Sequence, residues 1–213
     1  MNEITKLNRF TTLPYLLDII KRKKIVLTNP ENWEDKNDFL AIKHYKSIND
    51  IENLNVICFT YENETIHHWS KFSNGDNGCC IEFDSKKLLS IADKNNLLHN
   101  KTEYTTIKKL DLLEIDNSKL LFLKRDLFKN EFEYRIISIE KKSDKSLCEI
   151  EVDLEIINKI TLSYSLPTNV FESLEKIIVE IEPNLKNKIN KSTLFENKEW
   201  IEKIQKIQKQ NEN

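Results

Sequence analysis

Glycine is almost absent from this chain, and its scarcity limits the folds and sites that the chain can form. The 213 residues include two glycines, Gly75 and Gly78, which lie within one short stretch. A Rossmann dinucleotide-binding fingerprint needs three glycines at fixed spacing, and a phosphate-binding P-loop needs a glycine before Lys-Ser/Thr. The nucleophile elbow of the α/β-hydrolases is excluded as well, because Gly75-Asp76-Asn77-Gly78 lacks the central serine. The sequence therefore excludes three common enzyme architectures.

Charge and apolar patterning set further limits. There are 33 Lys and Arg residues against 35 Asp and Glu, so the chain as a whole does not attract polyanions, although a local basic patch stays open. No apolar run reaches the ~20 residues of a membrane span, and the N-terminal MNEITKLNRF lacks the apolar core of a secretion signal. The cysteines form no CxxC pair, and we expect free thiols. These features predict a cytoplasmic protein without membrane contact.

The spacing of apolar residues predicts an α+β domain. Strands are expected at 4–10, 25–28, 56–60, 79–84, 131–139 and 148–153, with the last two paired. Helices are expected after Thr12 and at 64–72, 84–95, 118–128 and 154–160, with a helix or strand at 169–182 and a turn-rich loop at 29–40. Because these elements follow no regular βαβ rhythm, they favour a mixed, mainly antiparallel sheet flanked by helices.

The C-terminal segment is set apart by its amphipathic pattern. We expect a single domain over residues 1–194 and a helix with a frayed polar tail over residues 195–213. The helix carries an apolar stripe that packs either on its own domain or on a second copy; the stripe comprises Trp200, Ile201, Ile204 and Ile207.

One candidate site is the segment Glu131-Phe132-Glu133-Tyr134-Arg135. In a strand, alternation would place Glu131, Glu133 and Arg135 on one face. Two carboxylates close together raise each other's pKa and need a counter-charge, which Arg135 can supply. The same pattern also fits a solvated face with a ladder of ion pairs, so a catalytic and a structural interpretation both stay open.

A second candidate site combines Thr60, at the end of VICFT, with the HHWSKF segment. A hydroxyl at a strand end can position a ligand. Trp69 and Phe72 lie three apart on one helix face, where they can stack on a ring or simply fill the core. Arg9, on the first strand, can bind a phosphate through two hydrogen bonds or lie on the surface.

A third candidate is a group of carboxylates for Mg²⁺, since clustered carboxylates can support phosphodiester hydrolysis. It consists of Glu82 and Asp84, joined by Asp35, Asp38 or the two glutamates above, with Lys86 or Lys124 beside them. The alternative for Asp84 is a helix N-cap. Because no HExxH or Cys/His ligand spacing occurs, we expect no structural or catalytic zinc.

Several segments, in chain order, resemble the bacterial proteins of domain-of-unknown-function family 2971 (DUF2971). They are LNRF, RKKIVLTNPENWEDKNDF, CFT, HHWSKF, GCCIEFD and LKRDLFKNEFEYRI, and the resemblance covers roughly residues 4–180. The sequence departs from the usual pattern at Phe128, where many members have Trp, and at Lys36-Asn37-Asp38-Phe39, where many have Asn-Asp-Pro-Phe.

The order of these segments also resembles the layout of ADP-ribosyltransferases. These enzymes have a basic residue on the first strand, then a helix, a strand ending in Ser or Thr, and a later strand with Glu-x-Glu. By this resemblance, Arg9 and Thr60 take the NAD-binding positions and Glu133 that of the catalytic glutamate. Glu131 takes the position that often engages the acceptor. The resemblance further implies a split sheet, NAD as the substrate and no metal.

The function predicted from this resemblance is a bacterial toxin or phage-defence effector. It would transfer ADP-ribose from NAD to an unknown protein or nucleic-acid acceptor, with Trp69 or Phe72 stacked on nicotinamide or adenine. One alternative is a metal-dependent nuclease of a defence system. Another is a non-enzymatic sensor or binding module that uses Trp33, Trp69 and the Trp200 helix as contacts. A homo-oligomer and a partner protein from a defence operon also stay open.

Overall fold

A seven-stranded sheet forms the centre of the protein, whose computed structural model describes residues 3–73, 75–110, 117–140 and 148–211. Together with two small sheets, the strands are β1 (Lys6–Thr12), β2 (Lys24–Leu27), β3 (Asn53–Thr60), β4 (Gly78–Asp84), β5 (Leu98–Lys101), β6 (Glu103–Thr105), β7 (Leu123–Arg125), β8 (Glu133–Glu140), β9 (Cys148–Glu151), β10 (Ile157–Leu162) and β11 (Ile189–Lys191). The helices are α1 (Leu13–Arg22), α2 (Lys36–Ile48), α3 (Ile66–Phe72), α4 (Ser85–Lys94), α5 (Ile107–Leu110), α6 (Thr168–Ile181) and α7 (Lys198–Asn211).

The central sheet has the strand order β11-β10-β4-β1-β3-β8-β5. Its neighbouring strands are antiparallel except for the parallel pair of β10 and β11. The small sheets pair β2 with β9 in antiparallel and β6 with β7 in parallel orientation. The predicted α+β class with a mixed, mainly antiparallel sheet flanked by helices is confirmed.

The two faces of the central sheet differ in how fully they are covered. One face packs on α1, α4 and α6 and holds the main apolar core, which includes Leu16, Ile20, Ile57, Phe59, Ile81, Phe83, Leu88 and Ile178. Alternate residues of β3 point to the other face, where a smaller core packs against α2; it comprises Ile42, Ile51, Leu54, Val56, Leu121 and Ile137. Beside this smaller core the sheet carries polar side chains.

The ladder between β1 and β3 is interrupted. Strand β1 pairs with β4 from Lys6 to Thr12, whereas among the described residues it meets β3 at one register pair, Asn8 and Thr60. Beside this pair, a side-chain hydrogen bond connects the two strands in place of a backbone one: Arg9 Nη1 donates to the Cys58 carbonyl of β3 at 2.8 Å. The sheet therefore has an opening between these two central strands, lined by side chains rather than by backbone hydrogen bonds.

Two predictions near this opening are wrong. The segment 29–40 was expected to be a loop, but α2 begins at Lys36 because the Asp35 carboxylate caps it. The segment 118–128 was expected to be helical. It instead forms a short 3₁₀ turn, strand β7 and the start of a second 3₁₀ turn, because β7 pairs with β6.

Three further boundaries differ from the sequence expectation. Strand β8 begins at Glu133 rather than at residue 131, because Phe132 has a left-handed backbone with φ 46°. Strand β9 pairs with β2 and not with β8. The segment 154–160, expected to be helical, is one 3₁₀ turn followed by β10.

Helix α7 confirms the predicted amphipathic C-terminal helix. Its residues 198–207 are all exposed, with Trp200 68% exposed, so the apolar stripe does not pack on the described part of the domain. The end of the predicted frayed tail, residues 212–213, lies outside the described residues. Among the described helices, none has both the length and the apolar character needed to cross a bilayer.

Candidate active site

A cavity of about 700 Å³ lies at the opening between β1 and β3. Strands β1, β3 and β8 line it, together with α3, the segment 33–38 and the chain before β8. Residues predicted from separate parts of the sequence meet here. Five of the six predicted site residues line the cavity; they are Arg9, Thr60, Phe72, Glu131 and Glu133.

Strand register explains why distant residues meet. Thr60 faces Glu133 across the β3–β8 ladder, and Asn8 faces Thr60 across the single β1–β3 pair. Directly opposed residues in neighbouring antiparallel strands point to the same side of the sheet. A row of polar side chains therefore crosses three strands at the floor of the cavity. The Asn8 amide donates to the Glu62 carbonyl at 2.7 Å, which fixes its orientation.

Glu133 is held in the ionised form by two buried cations. The Arg135 Nε donates to its Oε1 at 2.9 Å, and the Arg135 Nη2 and Lys124 Nζ donate to its Oε2 at 3.0 and 3.1 Å. Burial would raise the pKa of Glu133, but the charges of Arg135 and Lys124 outweigh burial and lower the pKa to about 2. The site therefore keeps a fixed negative charge at neutral pH.

Lys124 lies at the centre of three carboxylates. Its Nζ is 2.6 Å from Glu131, 3.1 Å from Glu133 and 3.5 Å from Asp38. Although burial opposes the charged form, the three carboxylates raise the pKa of Lys124 above its ordinary value. With Arg135 included, the cluster holds three carboxylates and two cations, so its formal charge is −1.

Asp38 connects this cluster to α2. Its Oδ2 accepts from the Arg135 Nη2 at 2.6 Å, and its side chain is 2% exposed. Burial raises the pKa of Asp38, and Arg135 and Lys124 oppose that effect. Its Oδ1 is buried and has no hydrogen-bond partner among the described residues, and the same holds for Asp35 Oδ2.

Glu131 approaches the cluster from a tight turn. It ends a 3₁₀ turn, and Phe132 follows with φ 46°, a conformation that is unfavourable for a bulky side chain. This turn, rather than strand alternation, brings Glu131 and Glu133 to the same cavity. Burial raises the pKa of Glu131, and Lys124 opposes the effect.

His68 holds this turn in place. Its Nε2 lies 3.2 Å from the Glu131 carbonyl, which can only accept, so Nε2 carries the proton. Its Nδ1, 3.0 Å from the Thr65 hydroxyl, then accepts a hydrogen bond in the neutral ring. Burial lowers the pKa of His68, which favours that neutral form. Helix α3 is thereby connected to the backbone that carries Glu131.

Arg9 has its charge available to a ligand. Its guanidinium donates to a backbone carbonyl and forms no salt bridge with a carboxylate among the described residues. Burial lowers the pKa of Arg9, because the cation is removed from water without a direct ionic partner. A cation in this state favours an anionic group in the cavity.

Trp69 is the predicted site residue that the structure places elsewhere. It is buried outside the cavity lining, its Nε1 donates to Glu64 at 2.8 Å, and its ring packs against the edge of Phe10 at 5.4 Å. The aromatic lining beside α3 instead comes from Phe10, His68 and Phe72. Phe10 and His68 stack at 5.1 Å, and His68 and Phe72 stack at 6.5 Å.

The carboxylates of the nuclease alternative do not join the cluster. Glu82 pairs with Lys6 at 3.3 Å, and Asp84 caps α4 by accepting from the Lys87 amide at 3.0 Å. Neither lines the cavity. Within the described parts of the chain, no group of three or more His, Cys, Asp or Glu side chains is arranged to hold a metal ion.

Sequence reasoning missed several lining residues, among them Asn8, Phe10 and Cys58. They lie in the LNRF and CFT segments, but only the register of β1 and β3 reveals which of their side chains reach the cavity. The Cys58 thiol interacts with Glu133, and burial raises the pKa of Cys58 well above its ordinary value, so the thiol is neutral.

Comparisons with known proteins agree with the resemblance noted in the sequence. The family model described as "Protein of unknown function (DUF2971)" matches residues 68–136, which include most of α3 and the start of β8. No curated protein matches the chain in sequence.

Among solved structures, the chain is similar to DarT from Thermus sp. 2.9. The complex with carba-NAD⁺ is 11% identical, covers 91% of this chain and 98% of its own, and gives a TM-score of 0.45. The complex with ADP-ribosylated ssDNA is 12% identical, covers 86% and 91%, and gives 0.41. The complex with NAD⁺ is 10% identical, covers 90% and 96%, and gives 0.40.

Proposed function

We propose that the protein is an ADP-ribosyltransferase that uses NAD as its substrate. The observation that carries the proposal is the meeting of Arg9, Thr60 and Glu133 in one cavity, at the opening between β1 and β3. These residues lie far apart in the sequence, and each occupies the position that the layout resemblance assigns to it. A purely structural ion ladder on a solvated face would not require this convergence.

The chemical features of the cavity suit a dinucleotide. Arg9 offers the pyrophosphate a cation that has no carboxylate partner among the described residues, and the stacked rings of Phe10, His68 and Phe72 offer an apolar surface for a planar base. The neighbouring cluster has a formal charge of −1, which favours a cationic group such as the nicotinamide ring. A volume of about 700 Å³ lies within the usual range for small-molecule sites.

The reaction needs stabilisation of a positive charge rather than a strong nucleophile. The bond between nicotinamide nitrogen and ribose C1′ breaks, and its electron pair leaves on nicotinamide, so C1′ becomes oxocarbenium-like. The ionised Glu133 would bind a ribose hydroxyl and stabilise that charge. The acceptor nucleophile then bonds to C1′ and releases its proton to solvent. With water as the acceptor, the products are ADP-ribose, nicotinamide and one proton.

Glu133 has room for one such hydroxyl. Its carboxylate receives hydrogen bonds from Arg135 and Lys124 and also interacts with the neutral Cys58 thiol. The thiol is the weakest of these donors. A ribose hydroxyl would replace Cys58 and leave the two cations in place. Their charges would keep Glu133 ionised throughout the reaction.

Glu131 is the residue we assign to the acceptor. It lies beside Glu133 in the cavity and is bound on one oxygen by Lys124. The acceptor is a protein or a nucleic acid, and the physiological role we propose is that of a bacterial toxin or phage-defence effector. The proposal therefore includes Glu133 and Glu131 as the catalytic pair and Arg9, Thr60 and Phe72 as NAD-binding residues.

The test uses NAD labelled on its adenylate side, with and without cell lysate. The wild-type protein should place label on a macromolecule or release labelled ADP-ribose, and Glu133→Gln should abolish both. The control is Glu82→Gln, since Glu82 points to the same sheet face but lies outside the cavity. Intact NAD in every wild-type reaction would contradict the proposal, as would full activity in a folded Glu133→Gln protein. Arg9→Gln provides a second test if Glu133→Gln does not fold.

A further inference from the structure

Two exposed apolar stripes lie on helices of the described part of the chain. One is the α7 stripe, which comprises Trp200, Ile201, Ile204 and Ile207. The other, the α6 stripe, comprises Val170, Leu174, Ile177 and Ile181. Its first, third and fourth members are 39%, 45% and 39% exposed, and Leu174 is half-buried against the main core. Single exposed apolar residues are common on proteins, but a continuous stripe is typical of an interaction surface.

The two stripes have the same spacing along their helices. The members of the α6 stripe follow one another at steps of four, three and four residues. Trp200, Ile204 and Ile207 of the α7 stripe follow one another at steps of four and three. This alternation places apolar side chains on one line along a helix, and two such lines pack side by side as the seam of a helix pair. Each stripe therefore fits the other.

The two helices also carry opposite net charges. Helix α6 contains three glutamates and one lysine, for a net charge of −2. Residues 198–207 of α7 contain three lysines and two glutamates, for a net charge of +1. These charges favour contact between α6 and α7 over contact of either helix with its own copy, because like charges repel.

Two charged residues beside the stripes set the direction in which the helices pair. Successive residues of a helix are about 100° apart. Glu180 therefore borders the α6 stripe on the side away from the core, and Lys203 borders the α7 stripe on the side away from Ile201. These two sides meet when the helices are antiparallel. Placing Trp200 opposite Ile181 brings the stripes into register, and Lys203 and Glu180 then lie two residues, or about 3 Å, apart along the axis.

Within one chain, this antiparallel contact is out of reach. It needs the start of α7 at the C-terminal end of α6, next to Ile181. The chain before α7 is instead fixed near the N-terminal end of α6, because the ring centroids of Phe195 and Tyr164 are 4.4 Å apart and Tyr164 closely precedes that helix. Helix α6 has 14 residues and is about 20 Å long. The chain from Phe195 to Lys198 extends over at most about 11 Å.

Leu194 adds a second constraint. It packs against Phe10 and Cys80, which lie on the cavity face of the central sheet. Helix α6 packs on the other face, where Ile178 belongs to the main core. The segment that leads into α7 and the α6 stripe of the same chain are therefore held on opposite sides of the sheet.

We propose that two copies of this chain form a two-fold dimer, in which α7 of each copy packs antiparallel on the α6 stripe of the other. The two-fold axis makes the contact occur twice, so the stripes of both copies are covered. The doubling matters for area, because one helix pair is small compared with stable interfaces, which bury about 1,200–2,000 Å². The dimer does not depend on the function proposed above.

Sedimentation of the full-length protein up to submillimolar concentration tests the apolar contact. The wild type should sediment at twice the chain mass of 25.3 kDa. Ile204→Glu in the α7 stripe and Ile177→Glu in the α6 stripe should each give monomers, because an unpaired charge in the seam is costly. Ile107→Glu is the matched control, since Ile107 is exposed, lies on α5 and belongs to neither stripe. A monomeric wild type would overturn the proposal, as would an Ile177→Glu protein that dimerises like the wild type.

Charge reversal tests whether the contact joins two copies. Glu180→Lys and Lys203→Glu should each weaken the dimer about tenfold, because each places like charges side by side in both helix pairs. An equimolar mixture of these variants should regain the wild-type dissociation constant, since the mixed dimer has an opposite-charge pair at both contacts. Glu172→Lys is the control and should change nothing, because Glu172 lies on the side of α6 opposite the stripe. A mixture that dimerises no better than either variant alone would overturn the proposal. Every substituted residue is exposed, so the variants should fold.

Discussion

Arg135 and Glu133 form a two-bond ion pair inside the protein, with donor–acceptor distances of 2.9 and 3.0 Å. The Arg135 side chain is fully buried, and it also donates to Asp38 at 2.6 Å and to the Leu121 carbonyl at 2.9 Å. One guanidinium therefore connects β8, α2 and the 3₁₀ turn before β7. It fixes the position of Glu133 in the cavity and holds it ionised.

Replacing Arg135 should strongly destabilise the fold. Arg135→Met would leave Asp38 and Glu133 buried with Lys124 as their nearest remaining cation, and removing one partner of a buried ion pair costs about 3–5 kcal/mol. Urea unfolding measures this loss. The control is Arg22→Gln, because Arg22 forms surface ion pairs and its loss should change the midpoint little. Equal midpoints for the two variants would contradict the structural role of Arg135.

Glu133 should contribute an acid-sensitive part of the stability. Its pKa in the folded protein is about 2, against an ordinary value of 4.5. Its contribution is therefore complete above pH 4.5 and is lost as the pH falls towards 2, with a size on the order of 3 kcal/mol. Burial raises the pKa values of Asp38 and Glu131. Protonation of these two carboxylates as the pH falls therefore stabilises the folded state, which is opposite to the effect of Glu133.

The measurement is the free energy of unfolding for the wild type and for Glu133→Gln between pH 6 and pH 3. The difference between the two proteins should be constant above pH 4.5 and should shrink below it. A difference that stays constant over the whole range would mean that Glu133 has an ordinary pKa in the folded state.

Sequence patterns were sufficient for the central strands and for several of the residues on these strands that line the cavity. The apolar run before Thr60 and the GCCIEFD segment predicted β3 and β4, because buried strands carry continuous apolar residues. The layout resemblance also selected Arg9 and Glu133, which lie on strands that line the cavity.

The remaining features depend on contacts between distant segments. Glu131 reaches the cavity through the left-handed turn at Phe132, which no alternation rule predicts. Trp69 and Phe72 lie on the same short helix, yet Trp69 packs against Phe10 and is buried, whereas Phe72 lines the cavity. Asp38 lies on α2, which was not predicted because its sequence is polar. The helix buries few residues besides Ile42. Its role becomes visible only when Arg135 lies beside it.

The two glycines should differ in how well they tolerate alanine. A Cβ on Gly78 would lie 2.6 Å from the Ser73 Cβ, so the end of α3 must shift. We expect a loss of stability at the upper end of the range of about 1–3 kcal/mol for overpacking. Gly75 has φ +55° and open space around it, so alanine there meets backbone strain alone, about 1 kcal/mol. Urea unfolding should therefore give a lower free energy of unfolding for Gly78→Ala than for Gly75→Ala. The reverse order would show that strain, not close packing, selects these glycines.

Cys58 should compete with the substrate for Glu133. Cys58→Ala removes the weak thiol donor and should leave the KM for NAD unchanged or slightly lower. Cys58→Ser supplies a stronger hydroxyl donor at the same position and should raise the KM severalfold with little change in stability. Steady-state nicotinamide release compares the two variants. A higher KM for Cys58→Ala than for Cys58→Ser would exclude displacement of Cys58 by the ribose.

The most direct test of the central claim is a crystal structure of Glu133→Gln soaked with NAD. We predict that the intact dinucleotide lies in the cavity between β1 and β3, with its pyrophosphate on Arg9 and its nicotinamide ribose beside residue 133. A dinucleotide bound elsewhere on the protein, or an empty cavity at millimolar NAD, would contradict the account.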